Sequence, residues 1–509
     1  MLYKARTKIH PKRAKGFFRT LKWWIMGITL GIYYLTPWIR WDRGSFAPDQ
    51  AVLVDVANRR FYFFFIEIWP HEFFYVAGML VMAGIGLFLV TSSLGRAWCG
   101  YACPQTVWVD LFLVVERAIE GDRNARIKLD KAPWTRDKFF KRTLKHIIWV
   151  LIGILTGGAW IFYFADAPTL LVDIFTGNAH YVAYATVAIM TAATYVFGGH
   201  LREQVCEYMC PWPRIQAAML DEHSLIVTYN DWRGEPRSRH AKKLKKEGKI
   251  SGDCVDCNAC VAVCPMGIDI RDGQQHECIT CALCIDACDG VMETLGLEKG
   301  LIAYATLNAY ESNMALATGD PNFTLYGIRD QDKSKLIDPT KIRNKMGELS
   351  DKIIETTLKS IFRLRTIIYA SIYALIGLAL IITLAMRSTL DAKVSHDRQP
   401  QFVVLSDGSI RNGYTIRILN KQGEPRRFKV SIPELEGATI QAQNHEMLGD
   451  NAFIMEVPAD KLKAEKLFVI LPKELAKNGR KNFHFEVVTE NGEDRTSVEA
   501  QFEVPHKGK

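Results

Sequence analysis

The sequence predicts a membrane α-helical bundle of five transmembrane helices, with an inserted cysteine-rich α+β module and a C-terminal all-β domain. Three observations carry this: five long apolar runs, two copies of one cysteine pattern, and a cysteine-free tail of short strand-like segments. The runs are residues 21–38, 73–94, 147–165, 181–198 and 367–386, free of charge except for Lys22 at the edge of the first. Each has the ~18–22-residue length that crosses a bilayer. Five such runs in a chain of 509 residues argue against buried core helices. A basic leader precedes the first run, as in a signal peptide, but Pro37, Trp38, Arg40 and Trp41 follow it in place of a small-residue cleavage site. That run is expected to remain as an anchor helix, with Trp23, Trp24, Tyr33 and Tyr34 as interfacial residues.

The net charge of +9 would suit nucleic acid if it were spread over one face. It is not: residues 1–20 hold seven Lys or Arg and no acid, and residues 95–146 hold eleven against six, so these stretches together supply +12. The excess follows topology, and no nucleic-acid partner is expected. Lys and Arg collect in short cytoplasmic loops, so the basic N-terminus at 1–20 and the loop 95–146 between the second and third helices are placed inside. Helices one to four then occupy 21–198, and 199–250 is a cytoplasmic connector. A cysteine module at 251–300, a second connector at 301–366, the fifth helix at 367–386 and an outside domain at 387–509 follow. The polar stretch 233–249 reads as a solvated or headgroup-facing linker. Multi-pass insertion in a bacterial inner membrane, with lipid as a partner, is the expected localisation.

All twelve cysteines lie between Cys99 and Cys288, on the side where thiols stay reduced. Residues 254–265 have the C-x2-C-x2-C-x3-C-P run of bacterial two-cluster ferredoxins, and residues 278–288 repeat its cysteine spacing with Asp289 where the first copy has Pro265. In that pattern the last cysteine of each run reaches the other cluster. Cys254, Cys257, Cys260 and Cys288 are thus expected to hold one 4Fe-4S cluster, and Cys278, Cys281, Cys284 and Cys264 a second. Zinc is the rival ligand, but zinc needs no third C-x2 step.

The other four cysteines form two C-x3-C-P units, Cys99 to Pro104 and Cys206 to Pro211, each just after a span that exits inside. Pro104 and Pro211 suit the first position of a helix, which would put Cys103 and Cys210 at helix N-termini. There the dipole, with Arg96 and Arg202 nearby, favours thiolates. Soft thiolates suit Cu(I), zinc or another iron-sulfur cluster. His71, His146, His180 and His200 lie at span ends and read as interfacial residues in preference to haem ligands. No G-x-G-x-x-G fingerprint follows a strand, so a nucleotide cofactor lacks support.

In the tail, runs at 401–405, 414–419, 428–432, 453–457, 467–471 and 483–488 are rich in β-branched and aromatic residues. Asp407-Gly408, Asn412-Gly413, Gln422-Gly423 and Asn491-Gly492 read as turns between them. About seven short strands in this length suit an immunoglobulin-like sandwich.

The chain resembles the CcoG/FixG (RdxA) family of accessory proteins for cbb-type cytochrome c oxidase. The resemblance runs through Trp41-Asp-Arg-Gly, Trp98-Cys-Gly-Tyr-Ala-Cys-Pro-Gln-Thr-Val-Trp, Arg117-Ala-Ile-Glu-Gly-Asp-Arg-Asn-Ala-Arg and Cys206-Glu-Tyr-Met-Cys-Pro-Trp-Pro-Arg-Ile-Gln. It implies a cupric reductase, an oxidoreductase that turns Cu(II) into Cu(I) for the oxidase. Cys99, Cys103, Cys206 and Cys210 would be its reactive, copper-binding residues, the eight clustered cysteines its electron relay, and oxidase subunits or assembly factors its partners. The electron donor is unassigned. A quinol-linked membrane ferredoxin and a non-catalytic copper-binding scaffold are the competing readings.

Overall fold

The computed structural model describes residues 8–44, 47–321, 323, 336–344, 349–354, 361–388, 390–443, 445–459, 461–476 and 480–504; the connector 301–366 lies partly outside them. The chain divides into two compact units, one of residues 1–39 and 51–380 and the other of residues 40–50 and 381–509.

Among the described residues of the first unit, four helices are long and apolar enough to cross a membrane: Phe74–Leu94, Arg136–Tyr163, Tyr181–Leu201 and Leu364–Ala385. Two of them change pitch near their ends, the third-listed winding into a π-turn over Tyr195–Leu201. The first predicted run also folds as a helix, Phe17–Leu35, followed by a 3-10 turn at Thr36–Trp38. It differs from the other four because its opening turns hold Arg19 and Lys22, both buried on Asp110 at 3.2 and 2.9 Å. Those charges dilute its apolar length, so the fifth span stays a proposal.

Pro104 opens the helix Pro104–Glu120, as its missing N–H allows. This helix lies along Arg136–Thr156: Phe112 stacks on Trp149 with centroids 5.1 Å apart, and Lys145 reaches Glu120 at 3.0 Å. At its end, Glu116 takes Arg126 and Arg202 at 2.6 Å each, all of it nearly sealed from solvent. His146 and His200, expected to stand apart, face each other with rings 5.8 Å apart, and Tyr195 Oη meets His146 Nδ1 at 2.9 Å. The π-turn carries His200 round to that position.

The cysteine module is α+β, its helices Ala259–Val263 and Leu283–Leu295 packed over the paired strands Ile226–Tyr229 and Ile302–Ala305. The stretch 233–249 is not wholly the solvated linker expected. Arg233 is buried, its Nε 2.8 Å from Asp253, and Arg343 joins the same carboxylate at 2.6 Å.

Asp221 ties the connector to the last long helix, accepting hydrogen bonds from Arg363 and, at 2.8 Å, Arg365. Burial works against its charge, but these bonds outweigh it and hold the carboxyl at about 2. A depressed folded pKa gives stability that is complete above the unfolded value near 4 and lost as pH falls towards 2. Asp221→Asn is therefore expected to lower thermal stability at pH 7 and to flatten its fall between about pH 4 and pH 2, read by circular dichroism. An unchanged acid profile would contradict the pairing.

The second unit is a β-sandwich of two five-stranded sheets. One has the order Thr439–Ala442, Leu462–Leu471, Ile410–Asn420, Leu390–His396, with Val403–Val404 also on Ile410–Asn420. The other runs Glu446–Met447, Ala452–Val457, Arg426–Ser431, Lys481–Thr489, Arg495–Phe502. Tyr414, Phe428, Phe453, Phe483, Phe485 and Phe502 fill its core. Asn412-Gly413 is not a turn: it lies inside Ile410–Asn420, and buried Asn412 bonds His396 and the Glu503 carbonyl.

Candidate functional site

Each cysteine loop repeats not only its spacing but its backbone. Asp256 and Asn258 in the first copy, and Thr280 and Ala282 in the second, hold the same offsets from the leading cysteine and all have φ between 49° and 59°. Left-handed backbone is costly for threonine and alanine, and strain at matched positions marks a constrained loop. It turns the Thr280 N–H to the Cys278 sulfur, at 3.5 Å. In the first copy Pro265 follows a helix that ends at Val263; in the second, Asp289 lets the helix run on to Leu295 and accepts the Gly300 N–H at 2.9 Å.

The fold brings the last cysteine of each run to the other copy. Cys288 has Cys260, Cys254 and Cys257 as its charged neighbours, while Cys264 has Cys281 and Cys278. Burial pushes both the Cys288 and Cys264 thiols up to about 12, so ligation there must release protons. Among the described residues no three His, Cys, Asp or Glu side chains gather tightly enough for a single ion. Two full copies of the three-step cysteine run suit cubanes better than tetrahedral zinc, which needs no third step.

The C-x3-C-P cysteines form a second group. Cys103, Cys206 and Cys210 are among the groups that raise the Cys99 thiol, and Cys103 and Cys210 among those that raise Cys206, so two segments a hundred residues apart are neighbours. Cys99 Sγ donates to Gln216 Oε1 at 3.2 Å, and Gln216 in turn donates to Thr91 Oγ1 at 3.1 Å. Gln216 is fully buried; it closes the Cys206-to-Gln motif that carries the family resemblance, but its residue type gave it no role.

The expected lowering of the Cys103 thiol is overturned. Cys103 does cap Pro104–Glu120, and the Gln105 and Thr106 N–H groups favour its thiolate, but burial outweighs them and raises it. Burial likewise takes Cys99 and Cys206 up to about 12. Arg202 is committed to Glu116, and Arg96 to the carbonyls of His276, Cys278 and Pro213. The second helix starts at Trp212 behind a Pro211 cap, leaving Cys210 one residue outside.

The two cysteine groups meet backbone to backbone. A Cβ on Gly100 would stand 2.7 Å from the Ile279 carbonyl oxygen and 3.0 Å from the Cys281 Cα. Tyr101 Oη donates to the Cys281 carbonyl at 3.2 Å, and Cys99 packs with Val263, Ile279 and Cys281.

Comparison with known proteins bears on this arrangement. A family model described as a 4Fe-4S dicluster domain matches residues 201–307, one described as a 4Fe-4S binding domain matches 76–120, and one described as the IG-like fold at the C-terminal of FixG matches 380–505. Membrane-length helices joined to this doubled cysteine cage define a membrane-associated iron-sulfur electron-transfer protein. The chain is 59% identical over 504 residues to the nitrogen fixation protein FixG of Rhizobium meliloti, covering 99% of this chain and 94% of that one. It is 52% identical to protein RdxB of Cereibacter sphaeroides, covering 93% and 90%, and 52% identical to RdxA of the same organism, covering 86% of each. It belongs to the FixG family.

Proposed function

We propose that the chain passes single electrons, on the cytoplasmic face of a bacterial inner membrane, to Cu(II) held by Cys99, Cys103, Cys206 and Cys210. Cu(I) is released to support assembly of a cbb-type cytochrome c oxidase. The observation that carries this reading is the contact of Gly100 and Tyr101 with the Cys281 segment, which brings the four thiols against the cysteine cage. In this reading Cys254, Cys257, Cys260 and Cys288 hold one 4Fe-4S cluster, and Cys278, Cys281, Cys284 and Cys264 the other; each supplies a one-electron couple when bound.

The residues around the copper site have definable work. Gly100 permits the close approach, and Gln216 fixes the Cys99 thiol. Thiolates suit Cu(I) better than the harder Cu(II), so ligation by these cysteines favours reduction. One electron from an external donor converts Cu(II) to Cu(I), and the thiols lose their protons on binding it. In this reading the basic segments keep the N-terminus and the cysteines inside, and Phe17–Leu35 acts as an odd fifth span that leaves the β-sandwich on the periplasmic side.

The test is Cu(II) reduction by anaerobic, iron-loaded protein supplied with a chemical reductant and followed with a Cu(I) chelator. The variant with all four of these cysteines changed to serine should retain its iron and fall to the uncatalysed rate; equal rates would sink the reading. In the cage, Cys288→Ser should lower bound iron from about eight to about four per chain, and Cys264→Ser should remove the other half. Iron loss from neither variant would refute the crossed ligand sets.

A quinol-linked reading has one observation behind it. A cavity of about 380 Å³, walled by Tyr33, Ala102, Pro104, Trp108, Trp160 and Met190 among others, abuts Cys103. Cluster reduction by a quinol analogue without copper would favour it.

A further inference from the structure

We infer that the N-terminal arm forms a binding site for the headgroup of an anionic phospholipid. A pocket of about 430 Å³ opens between residues 13–23 and the end of the helix Pro104–Glu120. Its wall contains Arg13, Lys15, Arg19 and Arg117 and no acidic side chain. Arg19 is committed to Asp110, which leaves Arg13, Lys15 and Arg117 for a phosphodiester, and guanidinium groups pair with phosphate oxygens two at a time.

The second observation is a buried donor without a hydrogen-bond acceptor. Arg117 Nε makes no hydrogen bond and stands 4.0 Å from the Asp122 carboxylate, while its Nη2 donates to the Pro11 carbonyl at 3.4 Å. The remaining wall is apolar and continues onto exposed surface: Trp23 and Val114 line the hollow at 39% and 38% exposure, and Trp24 beside it is 69% exposed. A cationic floor with an aromatic and aliphatic rim matches an amphiphile at the bilayer edge. A free phosphate would leave that rim unused.

The position gives such a lipid a structural role. The arm is already pinned on both sides, Lys12 N–H donating to the Ala262 carbonyl at 2.7 Å and Arg13 N–H to Asp122 at 3.1 Å. Ala14 packs in the same cluster as Cys99 and Cys281, and a Cβ on Gly16 would fall on the Asp286 carboxylate. A headgroup seated on Arg13, Lys15 and Arg117 neutralises the cations that these contacts crowd together and braces the arm against both cysteine segments.

The test uses the full chain in nanodiscs and by native mass spectrometry, with phosphatidylglycerol against phosphatidylcholine. Wild type should retain phosphatidylglycerol selectively, and the R13Q/K15Q double variant should lose that affinity by about 30-fold, as two interfacial cations provide. K128Q/K131Q, which removes two exposed charges outside the pocket, should keep it, and millimolar inorganic phosphate should not displace the lipid. No preference for phosphatidylglycerol in wild type, equal loss in K128Q/K131Q, retention in R13Q/K15Q, or displacement by phosphate would each overturn the inference.

Discussion

Gly100→Val is expected to slow passage of electrons to copper by about 100-fold while Gly84→Val leaves it unchanged. The valine Cβ must enter a space bounded by the Ile279 carbonyl and the Cys281 Cα and N, at 2.7, 3.0 and 3.2 Å. All three are backbone atoms, so no side chain can swing aside. The C-x3-C-P segment must lift from the cysteine cage instead, breaking the Tyr101 bond to Cys281, and displacements near 1 Å cost about 100-fold where positioning governs rate. Gly84 has nothing within 4 Å of its Cβ and serves as the matched control. Stopped-flow bleaching and recovery of the cluster absorbance on Cu(II) addition gives the rate, and equal rates in the two variants would refute the role of this contact.

The largest stability effect should come from Glu116→Gln. Glu116 is 3% exposed and takes Arg126 and Arg202 at 2.6 Å and Lys145 at 3.8 Å, with Arg126 itself 1% exposed. Two Arg126 nitrogens, Nε and Nη2, are already buried without hydrogen-bond partners. Removing the carboxylate charge strands buried Arg126, while Lys145 keeps Glu120 at 3.0 Å, a change worth about 3–5 kcal/mol. The double variant Glu116→Leu with Arg126→Met should recover much of that, since apolar replacement of a buried pair is close to neutral. Thermal unfolding in detergent reads both; a loss below about 1 kcal/mol in the single variant would show the cluster to be solvated.

What the sequence displayed and what it hid divide along physical lines. The cysteine spacing announced the iron-sulfur module because each run carries its pattern in one contiguous loop. The long apolar runs announced their helices for the same reason of contiguity. Edge strands were invisible: Leu390–His396 and Arg495–Phe502 turn charged or polar residues outward on alternate positions and lack the β-branched richness of central strands. Asn412-Gly413 has turn chemistry but is held in a strand by partners 16 and 91 residues away. Nothing local marks Glu116 and Glu120 as buried, since Arg126, Lys145 and Arg202, which bury them, come from other segments. The same distance explains why the convergence of Cys99 and Cys103 with Cys206 and Cys210 was a matter of repeat and resemblance, and why Gln216, though inside a quoted motif, had no role assigned to it.

Iron analysis with electron paramagnetic resonance on the anaerobically purified chain bears most directly on the division between an eight-cysteine cage and a four-thiol copper site. The account predicts about eight irons per chain and the spectrum of two reduced 4Fe-4S centres, unaltered in number when Cys99, Cys103, Cys206 and Cys210 are all serine. An iron-free protein, or about twelve irons falling to about eight in that variant, would contradict it.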